Sequence, residues 1–430
     1  MGAKVKGHYN NRALTFELPD EWNLLAMSEP KDVPPEADVE RRVKESLENP
    51  IGMAPLAEII GALDNKTAAI ISEDQTRPTP VGQVALPLVN ELNLLGIPDS
   101  DIEIIIGRGT HREITEAELE RKLGTELLDR VKVSVHDADD KSNLVKVGTT
   151  SRGTPCWANR KVVEAGFSVG IGTINPHYFA GYGGGPKIVL PGISGRDTVR
   201  HNHVLMREEN TTQGITHGNP LWEDMLEAAR LVGLDMKIDC LLNSETKIYK
   251  IFAGEVEAAQ AEAIAALKDV YGAPVPRAAD VTITSAYPLE TNLIQSGKSI
   301  LLADEITKDG GTVILLSACP DGAGPLMYET LRERPEPDQV IDWIEAGKAS
   351  TTGGPMASRL RRLLSTKSLV LVTEGLTREQ ADDMEMEHAT SIEEAMAQVS
   401  KRYGRADVVV LPIGGSTFPF LEEEKEAVPA

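Results

Sequence analysis

Two histidines stand where a sheet would end. His111 follows the apolar run IEIIIGRGT almost at once. His177 lies in the stretch GTINPHYFAGYGGGPKIVLPGISGRDTVRHNH, residues 172–203, directly after the apolar AGFSVGIGTI. Imidazole shuttles protons near neutral pH. Two imidazoles on separate strand-end loops can meet a substrate from opposite sides, which suits proton exchange at one carbon or acid–base work at a hydroxyl. The plainer alternative is two unrelated polar histidines.

The same stretch holds Gly183, Gly184 and Gly185, closed by Pro186 and Lys187. Glycines let backbone approach a ligand and expose N–H groups to it. Lys187 can then meet a phosphate, hold substrate or form a covalent link, or it closes a tight turn and faces water. GYGGGPK lacks the GK[ST] ending of a phosphate loop. His201 and His203 form an HxH pair. In an extended segment both would share a face, and in a helix they would diverge. SGRDTVR before them can form a helix, which leaves either histidine alone as a metal ligand. With no HExxH and no CxxC, an ordinary zinc centre is not expected.

Other charges belong to separate loops. Arg77 in DQTRPTP offers a planar fork for a carboxylate, and Asp74 can orient it or a nearby histidine. Lys298 in QSGKS offers a further cation, with Gln295 three residues earlier on the same side of a helix. Each has a bland reading as a surface charge or helix cap. Cys156, Cys240 and Cys319 are far apart and odd in number, which is no disulfide framework and fits a reducing cytoplasm.

The elements that must position these residues follow a strand–loop–helix rhythm. TAAIISED from Thr67, DIEIIIG, Val131–Val135 and Phe167–Ile174 read as buried strands, with helices such as Val81–Leu95 between them. This is an α/β pattern of mostly parallel sheets flanked by helices. Before it, Ala13–Leu18 alternates like a hairpin strand. Asp235–Asn243 and Lys247–Phe252 read as paired strands. GAPVPRAAD breaks the periodicity near Gly272–Arg277. Two domains are therefore expected, 1–272 and a smaller α/β domain 273–430, whose final tail EEEKEAVPA is expected to return to domain one. The active site is expected in the cleft between domains. No GxGxxG marks the first strand–helix turn, which weakens a dinucleotide-dependent reading.

The chain has 430 residues, 41% apolar and only 4% aromatic, so aliphatic side chains must fill its cores. The formal charge of −22 argues against nucleic acid or anionic membrane as partners, while a local basic pocket still suits a small anion. No apolar run is long enough for a membrane span, no hydrophobic leader opens the chain, and a cytoplasmic protein is expected.

Taken jointly, HYFAGYGGGPK (His177–Lys187), RHNH at His203, DQTRP at Arg77, GTHR at His111 and LIQSGKS resemble the nickel-pincer lactate racemase family and its 2-hydroxyacid racemase and epimerase relatives. The likeness runs from the N-terminal β segment to LPIGGSTFP. It implies that His111 and His177 are the acid–base pair and that His203, rather than His201, is the protein ligand to nickel. Lys187 would carry the cofactor, a pyridinium-3-thioamide-5-thiocarboxylic acid mononucleotide with nickel, through a thioamide. Gly183–Gly185 would help bind it, and Arg77, Gln295 and Lys298 would bind the substrate carboxylate, with Asp74 in support. The implied reaction removes hydride and proton from the hydroxyl-bearing carbon and returns them to the other face. A small 2-hydroxyacid and cofactor-maturation proteins are the implied partners; oligomeric state is not implied. Ile294 stands where the lactate racemase pattern has tyrosine, which leaves lactate, larger hydroxyacids and sugar acids open. The other readings are an NAD-dependent oxidoreductase and a non-catalytic nucleotide- or metabolite-binding protein.

Overall fold

A computed structural model describes residues 2–208, 210–350 and 353–422. The chain folds into two compact units, one spanning Asp32–Leu267 and the other combining the residues up to Lys31 with those from Lys268 onward.

The first unit is built on a six-stranded sheet in the order Ile248–Gly254, Met236–Leu242, Phe167–Thr173, Ala68–Glu73, Ile102–Gly107, Lys132–Val135. The first pair is antiparallel and every other pairing is parallel. Parallel strands are joined by crossovers that cover both faces, so they read as continuous apolar runs. Side chains alternate between those faces. Ile70, Ile104 and Ile106 join one core with Val84, Leu88 and Val169. Ile71 and Ile105 join the other with Ile188, Val189 and Ile193. The residues just after Lys187 are thus anchored in that second core. Truncating Ile70, fully buried, to alanine would cost about 2–5 kcal/mol.

Parallel sheets place ligands beyond the carboxyl ends of their strands. In this unit those ends lead into Asp74–Thr79, Arg108–His111, His136–Asp137 and Ile174–Lys187. The helix Pro220–Val232 supports the last of these. Asn219 caps it by accepting the Leu221 and Trp222 N–H groups, Pro220 opens it, and Gly233 at φ +80° closes it.

The second unit carries an all-parallel sheet in the order Glu387–Ala389, Ser368–Val372, Thr307–Leu316, Ala279–Ser285, Ala406–Leu411, Trp22–Met27. Here the fold departs from the expected span 1–272. Trp22–Met27 completes the edge of this sheet by pairing with Ala406–Leu411. The hairpin Lys4–Tyr9/Arg12–Glu17 buries Val5 and Phe16 in the same core. Its turn residues Asn10 and Asn11 have φ of 52° and 58°, the left-handed pair that tight hairpins favour. The expected return of the tail concerns residues beyond 422, which lie outside the described residues. No helix among the described residues is long and apolar enough to cross a membrane.

Candidate active site

The Asp74 loop and His111 meet directly. Asp74 is 3% exposed. Its Oδ1 accepts the Thr76 N–H at 3.0 Å and the Thr76 hydroxyl at 2.5 Å, and its Oδ2 lies 2.6 Å from His111 Nδ1. Burial alone would raise its pKa. The bonds from His111 and Thr76 and the nearby Arg77 outweigh burial and hold the carboxyl below its ordinary value. An ionised Asp74 accepts the Nδ1 hydrogen and leaves His111 Nε2 as the nitrogen with a lone pair. Sequence alone left Asp74 a choice of partner, and His111 is the one it orients.

The loop carrying His111 is braced from behind. Arg108 donates through Nε to the His136 carbonyl at 2.8 Å and through its guanidinium to the His111 carbonyl. Gly109 at φ +54° donates its N–H to the Gly192 carbonyl at 2.8 Å, which seats this loop on the segment after Lys187. His136 is a core residue. One ring nitrogen faces the Ser194 carbonyl at 3.0 Å and the other the Asn159 amide at 3.2 Å.

His177 has the opposite arrangement. Its Nδ1 accepts the N–H groups of Ala180 and Phe179, at 3.3 and 3.5 Å. In the neutral ring the hydrogen therefore sits on Nε2. The two imidazoles are set in complementary states by their surroundings.

Phe179 brings the remaining groups together. Its ring meets His177 edge-on at 4.4 Å and His203 at 5.4 Å, and Lys187 Nζ lies 5.2 Å from its centre. Asn219 holds the Phe179 carbonyl at 2.9 Å. Within its motif Phe179 has no role that the sequence reveals. An apolar residue among glycines carries no chemical signal of its own.

His201 and His203 lie on the helix Arg196–Val204 and diverge, as helical geometry requires. Asn202 between them is buried and donates to the Leu221 carbonyl at 3.1 Å and Asp224 at 2.9 Å, which fixes the helix's rotation. His201 is exposed and bonds back to the Asp197 carbonyl at 2.7 Å. His203 turns inward, and its Nδ1 is buried without a hydrogen-bond partner. Desolvation first, then the Lys187 cation, with a smaller push from His111, hold its pKa down at about 4; the Val199 carbonyl one turn back opposes this without reaching hydrogen-bond geometry. A neutral imidazole beside an amine is the state a metal ligand needs.

The glycine run differs from expectation. Gly183 donates its N–H to the Asn175 carbonyl at 2.7 Å and accepts from Gln260 at 3.2 Å. The Gly185 N–H goes to Asp239 Oδ2 at 3.1 Å. A Cβ at Gly183, Gly184 or Gly185 would lie 2.3, 2.5 or 2.3 Å from Asn175, Asp239 or Gln260. These N–H groups serve the protein rather than a ligand. Glycine is required because polar side chains, Asp239 and Gln260 buried among them, press against the turn that presents Lys187.

The Arg77 guanidinium donates to the hydroxyl of its neighbour Thr76 at 3.0 Å, and the residue is half-buried. Lys122, buried behind it, holds the Arg77 and Thr79 carbonyls at 3.2 and 3.3 Å, and burial lowers its pKa. Its place in ERKLG gave no hint of this. In the other unit, the helix Leu293–Asp304 places Gln295 and Lys298 one turn apart, with Lys298 donating to Gln295 Oε1 at 2.7 Å. Ile294 is buried against the turns at Gly324 and Gly353, where a Cβ would stand 2.8 and 3.2 Å from its Cδ1. The three cysteines are buried thiols, and burial pushes Cys156 up to about 11.

Two family models match the chain, the lactate racemase N-terminal domain over residues 9–214 and the lactate racemase C-terminal domain over 275–418. The chain is 32% identical to the lactate racemase of Thermoanaerobacterium thermosaccharolyticum over 405 residues, covering 92% of this chain and 93% of that one. It is 30% identical to the lactate racemase of Lactiplantibacillus plantarum over 416 residues, 94% and 97% of the two chains. The solved lactate racemase apoprotein from T. thermosaccharolyticum superposes with a TM-score of 0.86 at 30% identity, over 97% of this chain and 100% of the other. A Thermotoga maritima protein shares the fold at a TM-score of 0.63 and 18% identity, over 91% and 100%.

Proposed function

The chain belongs to the lactate racemase family, and from that premise we propose that it is an isomerase inverting the hydroxyl-bearing carbon of a small 2-hydroxyacid with His111 and His177 as the acid–base pair. The observation that carries this reading is the complementary bonding of the two rings. Asp74 leaves His111 Nε2 able to take a hydroxyl proton, while the backbone bonds at His177 Nδ1 leave Nε2 as the nitrogen through which that ring exchanges protons, returning one from its doubly protonated form. In the reverse direction His177 takes the hydroxyl proton, and doubly protonated His111, held by Asp74, returns one.

Family membership implies a nickel-pincer nucleotide, and the residues present fit it. A buried, partnerless His203 nitrogen stands beside an amine that reaches the same aromatic ring. Among the described residues no group of three His, Cys, Asp or Glu is arranged to hold an ion, and the pincer itself would supply the remaining ligands. Lys187 would hold the group covalently and His203 would ligate its nickel. When bound, it supplies a hydride acceptor, and the protein's part is binding, orientation and proton transfer. Arg77 engages the substrate carboxylate with its fork, and Lys298 with Gln295 is assigned the same task. Cofactor-maturation proteins are the implied partners.

The test is mass spectrometry and metal analysis of chain matured with those proteins, followed by chiral analysis of a 2-hydroxyacid panel. A mass addition at Lys187, nickel, and inversion of one substrate are expected. Fully matured chain with neither nickel nor the addition would overturn the reading.

A further inference from the structure

Beneath the site lies a buried ion pair that the proposed chemistry does not use. Lys237 and Asp239 stand two residues apart on Met236–Leu242, so they share a face; Nζ to Oδ1 is 2.5 Å, and both side chains are 0% exposed. Apolar residues of similar size often hold a core as well as such a pair does, so its presence asks for a role. The glycine turn rests on it. Asp239 accepts the Gly185 N–H, and Gly184 approaches so closely that a Cβ would stand 2.5 Å from Oδ1. The Lys237 chain lies beside Ile188 over Gly170, where a Cβ would be 3.1 Å from Lys237 Cδ and 2.7 Å from Ile188 Cγ2. Gly185 and Ile188 flank Pro186–Lys187, so both ends of the turn are seated on one pair.

The pair also faces the opposite loop. A Cβ on Gly172 would stand 2.9 Å from Glu73 Oε1 and 3.1 Å from Lys237 Nζ, so glycine here is what lets the two charges face each other. Glu73 Oε2 accepts from Thr79 at 2.6 Å, and Thr79 in turn lies 2.6 Å from Thr173. Thr79 closes the loop that carries Asp74 and Arg77.

We infer that Lys237 and Asp239, faced by Glu73, are positioning residues that set the Lys187 turn against the Asp74–Arg77 loop. The inference rests on the reading of Lys187 as the cofactor tether. Asp239 anchors the start of the turn by accepting the Gly185 N–H, Lys237 aims that carboxylate, and Glu73 ties both to the loop holding the base.

The experiment compares the full chain with Lys237→Met/Asp239→Leu, Lys237→Met/Asp239→Asn and Gly172→Ala. In apoprotein, melting, amide exchange over residues 181–190 and the rate at which a succinimidyl ester acylates Lys187 are measured. After maturation, the loaded fraction at Lys187 is measured by mass. The Leu double variant, which leaves no buried charge unpaired within the pair, is expected to melt near the wild type. Its exchange at Gly185 should rise about 10-fold or more. Loading should fall by about 10²-fold, the scale on which small misplacements act. The Asn double variant keeps an acceptor and should recover much of the Gly185 protection. Gly172→Ala, which retains both charges and wedges them apart, should lower loading as well. Wild-type exchange, acylation and loading in all three variants would reduce the pair to core filling. If wild-type chain gains no mass at Lys187, the tether reading fails, while exchange and acylation in apoprotein still decide the positioning role.

Discussion

His111 Nδ1 lies 2.6 Å from Asp74 Oδ2, and this contact leaves Nε2 as the ring nitrogen of His111 that carries a lone pair. Asp74→Asn keeps the shape and can still accept from Thr76, but it presents an N–H to the ring and moves the histidine hydrogen to Nε2. The expected loss is about 10²–10⁴-fold in kcat, with little change in KM or melting. Steady-state kinetics in both stereochemical directions measure it; an unchanged kcat would remove Asp74 from the acid–base assembly.

Removing either ring should stop inversion without stopping cofactor attachment. His111→Asn and His177→Asn are each expected to lower turnover by at least about 10²-fold while Lys187 remains loaded. Intact-mass spectra beside chiral chromatography separate the two effects. Near-normal turnover in either variant would exclude that histidine as an acid–base group.

Phe179 touches His177, His203 and the Lys187 amine. Phe179→Leu keeps an apolar filler and should cost about 1–2 kcal/mol of stability, less than a full truncation. Nickel retention and turnover should fall together, because the surface ordering three groups is lost. Calorimetry and metal analysis on one preparation give the comparison. Full nickel content and turnover would show that the ring merely fills space.

Arg77 is expected to act through its fork. Arg77→Lys keeps the charge but loses two parallel bonds, so KM should rise about 10-fold or more while melting is unchanged. Substrate saturation curves test this, and an unaltered KM would place the carboxylate elsewhere.

Acid stability should depend on His136. Desolvation leads the effects that lower its folded pKa below the ordinary 6.5. The unfolded chain therefore binds a proton that the folded chain refuses. The stability contributed by neutral His136 is present above about pH 6.5 and is lost as pH falls from there toward the folded value, levelling off below it. His203, held down in the same way, adds a slope of the same sign. His136→Asn should flatten the dependence of urea midpoint on pH between about 7 and 5. An identical slope in that variant would assign the acid sensitivity to other groups.

The strands were legible because burial on both faces demands unbroken apolar runs. Ala68–Glu73, Ile102–Gly107 and Phe167–Thr173 were read to within a residue or two. The candidate residues stood out as joint motifs, since few arrangements place histidine, a glycine run and lysine together after a strand. Local periodicity also foresaw Gln295 and Lys298 on one helical side.

Pairings between distant segments were not legible. Trp22–Met27 joins a strand some 380 residues later, and local pattern carries no information about that partner. The same holds for Asp74 with His111, for Lys122 behind Arg77, and for Asp239 under Gly185. Sequence alone determined which residue types stand at the ends of buried strands, because hydrophobic periodicity and chain neighbourhood are local. Only the tertiary structure decided which nitrogen each histidine offers, which of His201 and His203 turns inward, and whom the glycine N–H groups serve. Those choices depend on hydrogen bonds and desolvation from groups that the fold, not the order of residues, brings within a few ångströms.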